Sequence, residues 1–279
     1  MGRLRTAASA AFLAIGGFLF GYDSGIIAST ISQPYFVQYM GKPSTSETGG
    51  IVSSFTGGAI LGSLSIVFLA DRFGRKLTVF IGSVISVLGC ALQGGAVNIP
   101  MMIAGRFIAG IAVGLLSAVV PLYCSELAIS QDRGKLSGLL QFMLSWGFFA
   151  AQWIGFGCFK VNSPFQWRFP LAFQVIPPLI LSVGVWFLAE SPRWLVEHER
   201  YEEAQGVLAI MHGDGNNQEF LDLEFREIRD TIVAEKAVAV KSWSAILTKP
   251  SWRKRLFLGM GIQAFGQLSG INVSYYLMI

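Results

Sequence analysis

Long apolar stretches, separated by short polar turns, run through most of the sequence. Each stretch holds about the 20 residues that an α-helix needs to cross the hydrocarbon core of a bilayer. Seven such spans are predicted, at residues 7–31, 50–69, 77–96, 101–121, 136–156, 169–188 and 256–279. The pattern therefore predicts an all-α, polytopic membrane helix bundle, with six spans before one long polar interruption and a seventh after it.

That interruption, residues 189–252, holds most of the 17 acidic residues of the chain. Within it, residues 194–211 and 220–240 place apolar side chains at helical spacing among charged ones. Such segments are typical of amphipathic helices that lie against a membrane face, although a solvated face without a further role would show the same pattern. We divide the chain accordingly into a six-helix bundle (1–188), an amphipathic helical loop (189–252) and the seventh membrane helix (253–279).

Composition and charge narrow the class of protein. Of the 279 residues, 53% are apolar and 14% charged, against roughly 45–50% and about 25% in an average soluble domain, which excludes an ordinary soluble enzyme. Seven basic residues fall in short loops on one side of the predicted membrane, and three, Lys42, Lys160 and Arg168, fall on the other. Because cytoplasmic loops are enriched in Lys and Arg, the N-terminus and the long loop are predicted to be cytoplasmic. The same excess of Lys and Arg in cytoplasmic loops explains the net charge of +4, which therefore does not indicate a nucleic-acid partner.

Residues that could carry catalysis or bind a metal are sparse. Cys90, Cys124 and Cys158 are scattered without CxxC spacing, which indicates packing rather than a disulfide framework or a metal site. The two histidines, His198 and His212, lie in the polar loop, away from a candidate nucleophile in any span. The sequence therefore predicts neither an enzyme nor a bound metal or cofactor.

Glycines recur at a spacing of four in three of the spans. They are Gly17, Gly21 and Gly25 in the first span, Gly58 and Gly62 in the second, and Gly110 and Gly114 in the fourth. Small residues at this spacing let two helix backbones approach closely in lipid. We expect a tight bundle, and the glycine stripes by themselves indicate no function.

Two ionisable residues fall well inside spans, Asp23 in the first and Arg106 in the fourth. Each costs about 2.5 to 3.5 kcal/mol at a helix centre and so requires a partner or a water-filled cavity. Counted along their helices, both lie in the outer half of the membrane at similar depth. A carboxylate facing a guanidinium there forms either a fixed salt bridge or a switch in which protonation of Asp23 releases Arg106, and the sequence leaves both interpretations open.

Three short motifs stand where helices leave the membrane on the predicted cytoplasmic side. Each combines an acid with an arginine, so loops that are distant in sequence can join one charge network that holds this side of the bundle shut. The motifs are Asp71-Arg72-Phe73-Gly74-Arg75-Lys76, Pro121-Leu122-Tyr123-Cys124-Ser125-Glu126 followed by Arg133-Gly134, and Glu190-Ser191-Pro192-Arg193. From them we predict a gating network of Asp71, Arg72, Arg75, Glu126, Arg133, Glu190 and Arg193.

The order of these motifs along the chain resembles that in the sugar porters of the major facilitator superfamily, and in fungal members in particular. Further matching segments are Gly105-Arg106, Gln166-Trp167-Arg168, Trp194-Leu195, Gln267-Leu268-Ser269-Gly270-Ile271-Asn272 and Tyr275-Tyr276. The resemblance covers almost the whole chain. It implies a transporter of twelve helices in two halves, with a helical cytoplasmic domain after the sixth helix and alternating access to a site between the halves.

Three features depart from the family pattern. Val67 stands where the family usually has the glycine that opens the first loop motif. Gly266 replaces the first of two glutamines in the seventh-helix motif, so one sugar-binding amide is missing. The chain also stops at Ile279, within the seventh helix. The resemblance therefore implies a truncated transporter, whose missing C-terminal half would be required for a full transport cavity.

A sugar site needs uncharged amides and hydroxyls, with aromatic faces against the apolar side of the ring. The fifth span supplies such a helical face, made of Gln141, Ser145, Phe148 and Gln152. The candidates on the seventh span are Gln263, Gln267, Asn272, Tyr275 and Tyr276. By resemblance, Gln141, Gln267 and Asn272 correspond to sugar contacts, whereas Gln263 follows from its spacing with family support. Each amide could instead make an interhelical hydrogen bond.

The leading hypothesis from the sequence is a plasma-membrane transporter of a hexose or a related small carbohydrate. Proton symport through Asp23 and Arg106 and facilitated diffusion both stay open. The partners would be the sugar, protons in the case of symport, and the lipid bilayer. Two rival hypotheses remain: a non-transporting sugar sensor or regulatory membrane protein, and a transporter fragment that is inactive by itself.

Overall fold

A computed structural model describes residues 2–128, 132–213, 217–238 and 250–270. Within these ranges the regular structure is helical, which confirms the predicted all-α class. The helices are α1 (Gly2–Leu13), α2 (Ile15–Ile31), α3 (Pro34–Tyr39), α4 (Thr45–Gly94), α5 (Ile99–Leu127), α6 (Arg133–Phe159), α7 (Phe165–Phe173), α8 (Ile176–Gly184), α9 (Pro192–Glu197), α10 (Tyr201–His212), α11 (Gln218–Val238) and α12 (Pro250–Leu268). A short 3-10 helix, Val185–Phe187, follows α8.

Five helical segments among the described residues are long and apolar enough to cross a membrane. They are Leu4–Ile31, Thr45–Gly94, Ile99–Leu127, Arg133–Phe159 and Phe165–Phe187. The first six predicted spans match these five segments, although the predicted ends at residues 96 and 188 run two residues and one residue past the observed ones. The seventh predicted span, residues 256–279, overlaps α12, and its last nine residues lie outside the described part of the chain.

Two predicted spans share the 50-residue helix α4. A straight helix of that length would measure about 75 Å, more than twice the thickness of a bilayer core. Gly74 interrupts it, with φ of 86° and ψ of 170°. This left-handed backbone suits glycine because it has no Cβ. Gly74 therefore separates the second span from the third, as expected for the turn in the first loop motif.

The membrane helices pack with their backbones in contact. On α4, a Cβ atom at Gly58 would overlap the carbonyl group of Phe107, and one at Gly62 would overlap that of Ile111, both on α5. On α2, a Cβ at Gly21 would overlap the carbonyl of Leu144 on α6. These contacts confirm the tight packing predicted from the glycine spacing.

The first two helices of the polar loop, α9 and α10, pack at one end of the bundle, which we call the loop face. Here α10 buries Ala204, Leu208 and Met211 against the bundle, so the predicted apolar stripe is confirmed. The single helical segment expected over residues 194–211 is wrong, because α9 ends at Glu197 and α10 starts at Tyr201. Glu199 between them has a φ of 62°, a left-handed conformation that an α-helix cannot contain.

The chain divides into two compact units, Met1–Phe225 and Arg226–Ile279. The first unit contains two apolar core clusters. One cluster, around Leu13, Tyr123 and Leu127, lies toward the loop face, and the other, around Ile26 and Trp167, lies toward the opposite end. The second unit contains the remainder of α11 and α12. The domain limits at residues 188 and 252 stay a prediction from sequence.

Candidate functional site

Asp23 of α2 and Arg106 of α5 meet inside the bundle. Their side chains are almost fully buried, with exposed fractions of 1% and 2%. Nη1 of Arg106 donates a hydrogen bond to the backbone carbonyl oxygen of Asp23 at 3.3 Å. The guanidinium carbon of Arg106 also lies 4.3 Å from the centroid of the Phe55 ring, a cation–π distance. The structure therefore brings together the two charged residues that the sequence placed at similar depth.

Uncharged polar side chains surround Asp23, and the sequence had not marked them. The thiol of Cys90 on α4 lies 4.0 Å from Oδ1 of Asp23 and 3.7 Å from Oε1 of Gln174. Ser86 lies 3.9 Å from the same sulfur. One turn beyond Cys90, Gln93 donates to the carbonyl oxygen of Gly105 at 3.4 Å. Because residues 86, 90 and 93 share one helical face, their spacing was an available signal.

Several buried atoms in this cluster have unused hydrogen-bonding capacity within the described residues. Oδ2 of Asp23 and Oε1 of Gln93 are acceptors and Nε2 of Gln174 is a donor, and these atoms lack a hydrogen-bond partner there. Buried polar groups in proteins are normally paired, so these atoms single out the surroundings of Asp23 as a candidate functional site. The arrangement fits a carboxyl group that can be ionised or protonated.

The predicted sugar-facing side of α6 is accessible at its end near the loop face. Gln141 and Ser145 are both exposed, and the Ser145 hydroxyl donates to the carbonyl oxygen of Gln141 at 3.2 Å. Deeper in the bundle, Phe148 packs on Gly25, and the side-chain amide of Gln152 lies 3.5 Å from the Gly25 carbonyl oxygen. The four residues thus share one face, but only its first half is open to a ligand.

Aromatic rings lie beside this polar face on α6. Phe142, Trp146 and Phe149 are each about half exposed. Their rings contact one another in sequence, with the Trp146 centroid 6.2 Å from that of Phe142 and 5.3 Å from that of Phe149. Aromatic faces next to amides and hydroxyls are the lining that a sugar requires.

The remaining sugar candidates lie in the second unit. Gln263 and Gln267 are exposed on α12, one turn apart. Asn272, Tyr275 and Tyr276 lie outside the described residues. The structure therefore describes two of the five seventh-span candidates and leaves their distance from Gln141 undefined.

A buried ion pair connects two of the loop-face motifs. Nε and Nη2 of Arg75 each donate to a carboxylate oxygen of Glu126 at 2.8 Å, which makes the pair bidentate. Nη1 of Arg75 also donates to the carbonyl oxygen of Ala70 at 3.1 Å. The two side chains are only 7% and 6% exposed. The end of α5 is thereby fixed to the turn at Gly74 in α4.

Glu190 connects the third motif to the same turn, but through backbone groups rather than an arginine side chain. Its Oε1 accepts hydrogen bonds from the amide N–H groups of Arg75 at 3.0 Å and Ser191 at 2.9 Å. The amide of Lys76 lies 3.3 Å from both oxygens. The first amide groups of a helix lack intrahelical acceptors, so Glu190 caps the half of α4 that begins after Gly74.

The other predicted gate residues have different surroundings. The backbone carbonyl oxygen of Asp71 accepts a hydrogen bond from Nε1 of Trp194 at 2.9 Å. Arg72 lies over the ring of Phe73 at 5.7 Å, Arg133 is exposed at the start of α6, and Arg193 is half-buried. The core of the network is therefore Arg75, Glu126 and Glu190.

Two aromatic residues complete this network. In addition to the Trp194 bond, the buried hydroxyl of Tyr123 donates to the carbonyl oxygen of Ala189. Both residues belong to motifs that the sequence singled out, but only the charged members were predicted to act. The indole N–H of Trp194 and the hydroxyl of Tyr123 are the signal that the sequence offers, since a buried Trp or Tyr usually finds a hydrogen-bond partner.

Together, these features define an integral membrane protein: apolar spans with interlocked backbones, a buried carboxylate–arginine pair and a charged network at one end. A family model described as "Sugar (and other) transporter" matches residues 9–278. The chain therefore belongs to the sugar transporter family.

Named relatives and solved structures agree with this assignment. Over 265 residues, the chain is 44% identical to the MFS-type transporter criB of Aspergillus cristatus, covering 94% of the chain and 57% of the relative. It is 34% identical over 267 residues to the high-affinity glucose transporter of Kluyveromyces lactis, covering 95% and 48%. The chain thus spans about half the length of these curated relatives.

Among solved structures, the proton:xylose symporter XylE of the major facilitator superfamily superposes with a TM-score of 0.78 at 24% sequence identity. The match covers 89% of this chain and 56% of XylE. This match confirms that the chain has the helical fold of the major facilitator superfamily.

Proposed function

We propose that this chain forms part of a sugar transporter that works by alternating access. Family membership supports the class of activity, and the observation that carries the proposal is the exposed amide and hydroxyl face of α6 beside a row of aromatic rings. The relative from Kluyveromyces lactis is named a glucose transporter, which favours a hexose or a related small carbohydrate as the substrate.

The proposed sugar-binding residues are those expected from the sequence. Gln141 is exposed on α6 in the first unit, and Gln263 and Gln267 are exposed on α12 in the second, so each amide is accessible within its own unit. Asn272, Tyr275 and Tyr276 are proposed from their motif. The hydrogen bonds of a neutral sugar are best met by such uncharged groups, which pay no charge-desolvation penalty in a closed cavity.

Proton symport through Asp23 and Arg106 is the second part of the proposal. The buried carboxyl group of Asp23 has an unused acceptor oxygen. Arg106 donates a hydrogen bond to the backbone carbonyl oxygen of Asp23, so its contact with this residue does not depend only on the charge of the carboxylate. Protonation of Asp23 would then leave Arg106 with its carbonyl and aromatic contacts, so the cation is never without a partner. The structural relative XylE is named a proton:xylose symporter.

The loop-face network is proposed as the gate, with the loop face in the cytoplasm. The positive-inside distribution of Lys and Arg supports this orientation, and a sugar transporter of this family would act in the plasma membrane. Arg75, Glu126 and Glu190 fix α4, α5 and the end of the sixth span to one another. Opening this side of a bundle requires these bonds to rearrange.

The direct test is sugar uptake in a host that lacks its own hexose transport. The chain would be expressed alone and together with the C-terminal half of the Kluyveromyces lactis relative, with insertion into the membrane verified in both cases. Uptake of labelled D-glucose or D-xylose over an L-glucose background supports the proposal. A properly inserted chain that gives no uptake in either form and does not bind D-glucose would exclude it and favour a sensor or an inactive fragment.

Gln141→Ala locates the site within that experiment. Loss of one sugar hydrogen bond costs about 0.5–1.5 kcal/mol, so the half-saturating sugar concentration should rise up to about tenfold with little change in maximal rate. Gln38→Ala is the control, because Gln38 is an exposed glutamine on the short helix α3. Unchanged affinity for the Gln141 variant would remove this residue from the site.

A further inference from the structure

His212, the last residue of α10, occupies a buried position between three helices. Its side chain is 2% exposed, and it lies where α10, the end of α5 and the start of α11 meet. Nδ1 lies 2.8 Å from Oε2 of Glu224 on α11, and Nε2 lies 3.0 Å from the backbone carbonyl oxygen of Leu127 on α5. Both ring nitrogens are thus engaged with short, well-defined partners.

These partners favour one protonation state of the ring. A carbonyl oxygen is only an acceptor, and so is an ionised carboxylate. A neutral imidazole has one donor and one acceptor nitrogen, so one of its nitrogens would face an oxygen lone pair without a hydrogen between them. The imidazolium form donates from both nitrogens and satisfies both oxygens at once.

Each element packed against His212 contributes a different group. From α11, the facing ionisable group is Glu224, which is 16% exposed. From α5 it is the Leu127 carbonyl, and the neighbouring Glu126 is already paired with Arg75. From α1, the hydroxyl of Thr6 donates to the carbonyl oxygen of Met211 at 2.8 Å.

We propose that His212 is a proton-operated latch that holds α11 against the end of α5 at the loop face. When the ring is an imidazolium it connects the two helices, and when it loses a proton one of the two bonds fails. The latch goes beyond the proposed transport function, because it depends only on the pH of the solution at the loop face. A fall in pH therefore strengthens the contact between α11 and α5, and a rise in pH weakens it.

The electrostatics of the site agree with this direction. Burial alone lowers the pKa of His212, but the hydrogen bonds to Glu224 and to the Leu127 carbonyl, with the charge of Glu224, outweigh burial and raise that pKa above its ordinary value. A histidine whose pKa is raised on folding contributes stability that is complete below the ordinary pKa. That contribution is lost as pH rises through the raised value.

The test uses the full chain in lipid nanodiscs with ¹⁵N-labelled histidine. Because the chain has only two histidines, the variant His198→Gln leaves a single imidazole signal, that of His212. We expect the titration midpoint of His212 to lie above the ordinary value for histidine and to fall in Glu224→Gln. A midpoint at or below the ordinary value in the His198→Gln chain would overturn the proposal.

Hydrogen exchange of α11 residues 218–225 provides the functional readout. After correction for intrinsic exchange, protection in the wild type and in His198→Gln should fall about tenfold as pH rises through the His212 titration, the loss expected for one charged hydrogen bond. In Glu224→Gln the amide can accept from the charged ring and donate to the neutral ring, so the protection should no longer depend on pH. Protection that is independent of pH in the wild type contradicts the latch, even if the substituted chains fold poorly.

Discussion

Individual charged residues in this protein are stabilised by different kinds of partner. Arg75 is held by a bidentate carboxylate, Arg106 by a backbone carbonyl and an aromatic ring, and Glu190 by backbone amides. The type of partner determines how each group responds when its counterpart is changed. An ion pair leaves an uncompensated charge behind, whereas a backbone contact remains in every variant.

Replacing Glu126 with Gln should destabilise the protein strongly. The change leaves the guanidinium of Arg75 buried without its carboxylate, which costs about 3–5 kcal/mol. Thermal unfolding in detergent, followed by fluorescence, measures the loss. The control is Glu203→Gln, which breaks the exposed pair with Arg200, whose side chains are 47% and 57% exposed, and should cost less than about 1 kcal/mol. Equal effects of the two changes would show that the buried pair has no special role.

Asp23→Asn separates proton coupling from sugar movement. The amide keeps the shape of the carboxyl group but cannot exchange a proton, so we expect accumulation of sugar against its gradient to be lost while equilibrating exchange continues. Uptake measured with and without a protonophore, in the host used for the transport assay, distinguishes the two. Accumulation in the variant that still depends on the pH gradient would rule out Asp23 as the coupling residue.

Around Asp23, the sequence predicted the two charged residues and missed the neutral polar ones. Asp23 and Arg106 stand out because a charge in an apolar span is costly. Cys90 and Gln174 do not stand out, since uncharged polar residues are common in membrane helices and their partners are on helices far away in sequence. His212 was set aside as a loop residue because burial between helices α5, α10 and α11 cannot be deduced from local pattern.

Helices in this bundle are positioned by backbone contact at glycines rather than by interlocking large side chains. Adjacent residues on α4 illustrate the difference: a Cβ at Gly58 would overlap the carbonyl of Phe107, whereas a Cβ at Gly57 would meet no atom within 4 Å. Of these two neighbouring glycines, only Gly58 lies where a side chain would displace α5. The spacing of four residues between Gly58 and Gly62 is the sequence signal that predicts this contact.

The pair of substitutions Gly58→Ala and Gly57→Ala tests this dependence. At Gly58 the added methyl group must push α5 away, and overpacking of this kind costs about 1–3 kcal/mol. At Gly57 it meets open space, and a better helix former should be neutral or stabilise by about 0.5–1 kcal/mol. Apparent melting temperatures of the two variants in the same detergent give the comparison. A similar fall for both would mean that α4 and α5 are not in direct backbone contact.

Helix limits were predictable where length and apolar character define them. The six spans of the first unit follow from runs of about 20 apolar residues, and Gly74 from its motif. The break between α9 and α10 was not predictable, because Glu199 adopts a left-handed conformation without being glycine or asparagine. Both short helices bury apolar residues on either side of this break, and these contacts are not visible in the local sequence pattern.

Across the whole molecule, the residues of both core clusters lie between Ala10 and Met211. The unit Met1–Phe225 therefore contains its own apolar interior together with the loop-face network. The helices of the polar loop are part of that interior, since Met211 of α10 packs in the same cluster as Leu13 and Leu127. The membrane bundle and the first loop helices therefore share one packed interior.

Two truncations distinguish this view from one in which the loop is a separate appendage. Ending the chain after Val238 keeps α1 to α11 and should leave the melting temperature of the bundle nearly unchanged. Ending it after Leu188 removes the Glu190 cap and the Ala189 and Met211 carbonyl contacts, and should lower the melting temperature by several degrees or more, since each lost kcal/mol shifts it by about 2–4 °C in a chain of this size. Equal melting temperatures for both truncations would make the loop helices dispensable.

Glu190 also determines an order of events during synthesis. The amide groups that open the second half of α4 receive their acceptor from a carboxylate 115 residues further along the chain. When those amides leave the ribosome, the residue that caps them has not yet been made, and four further spans must be inserted first. The turn at Gly74 therefore reaches its final form only after the sixth span is in place, so the loop face is the last part of the bundle to mature.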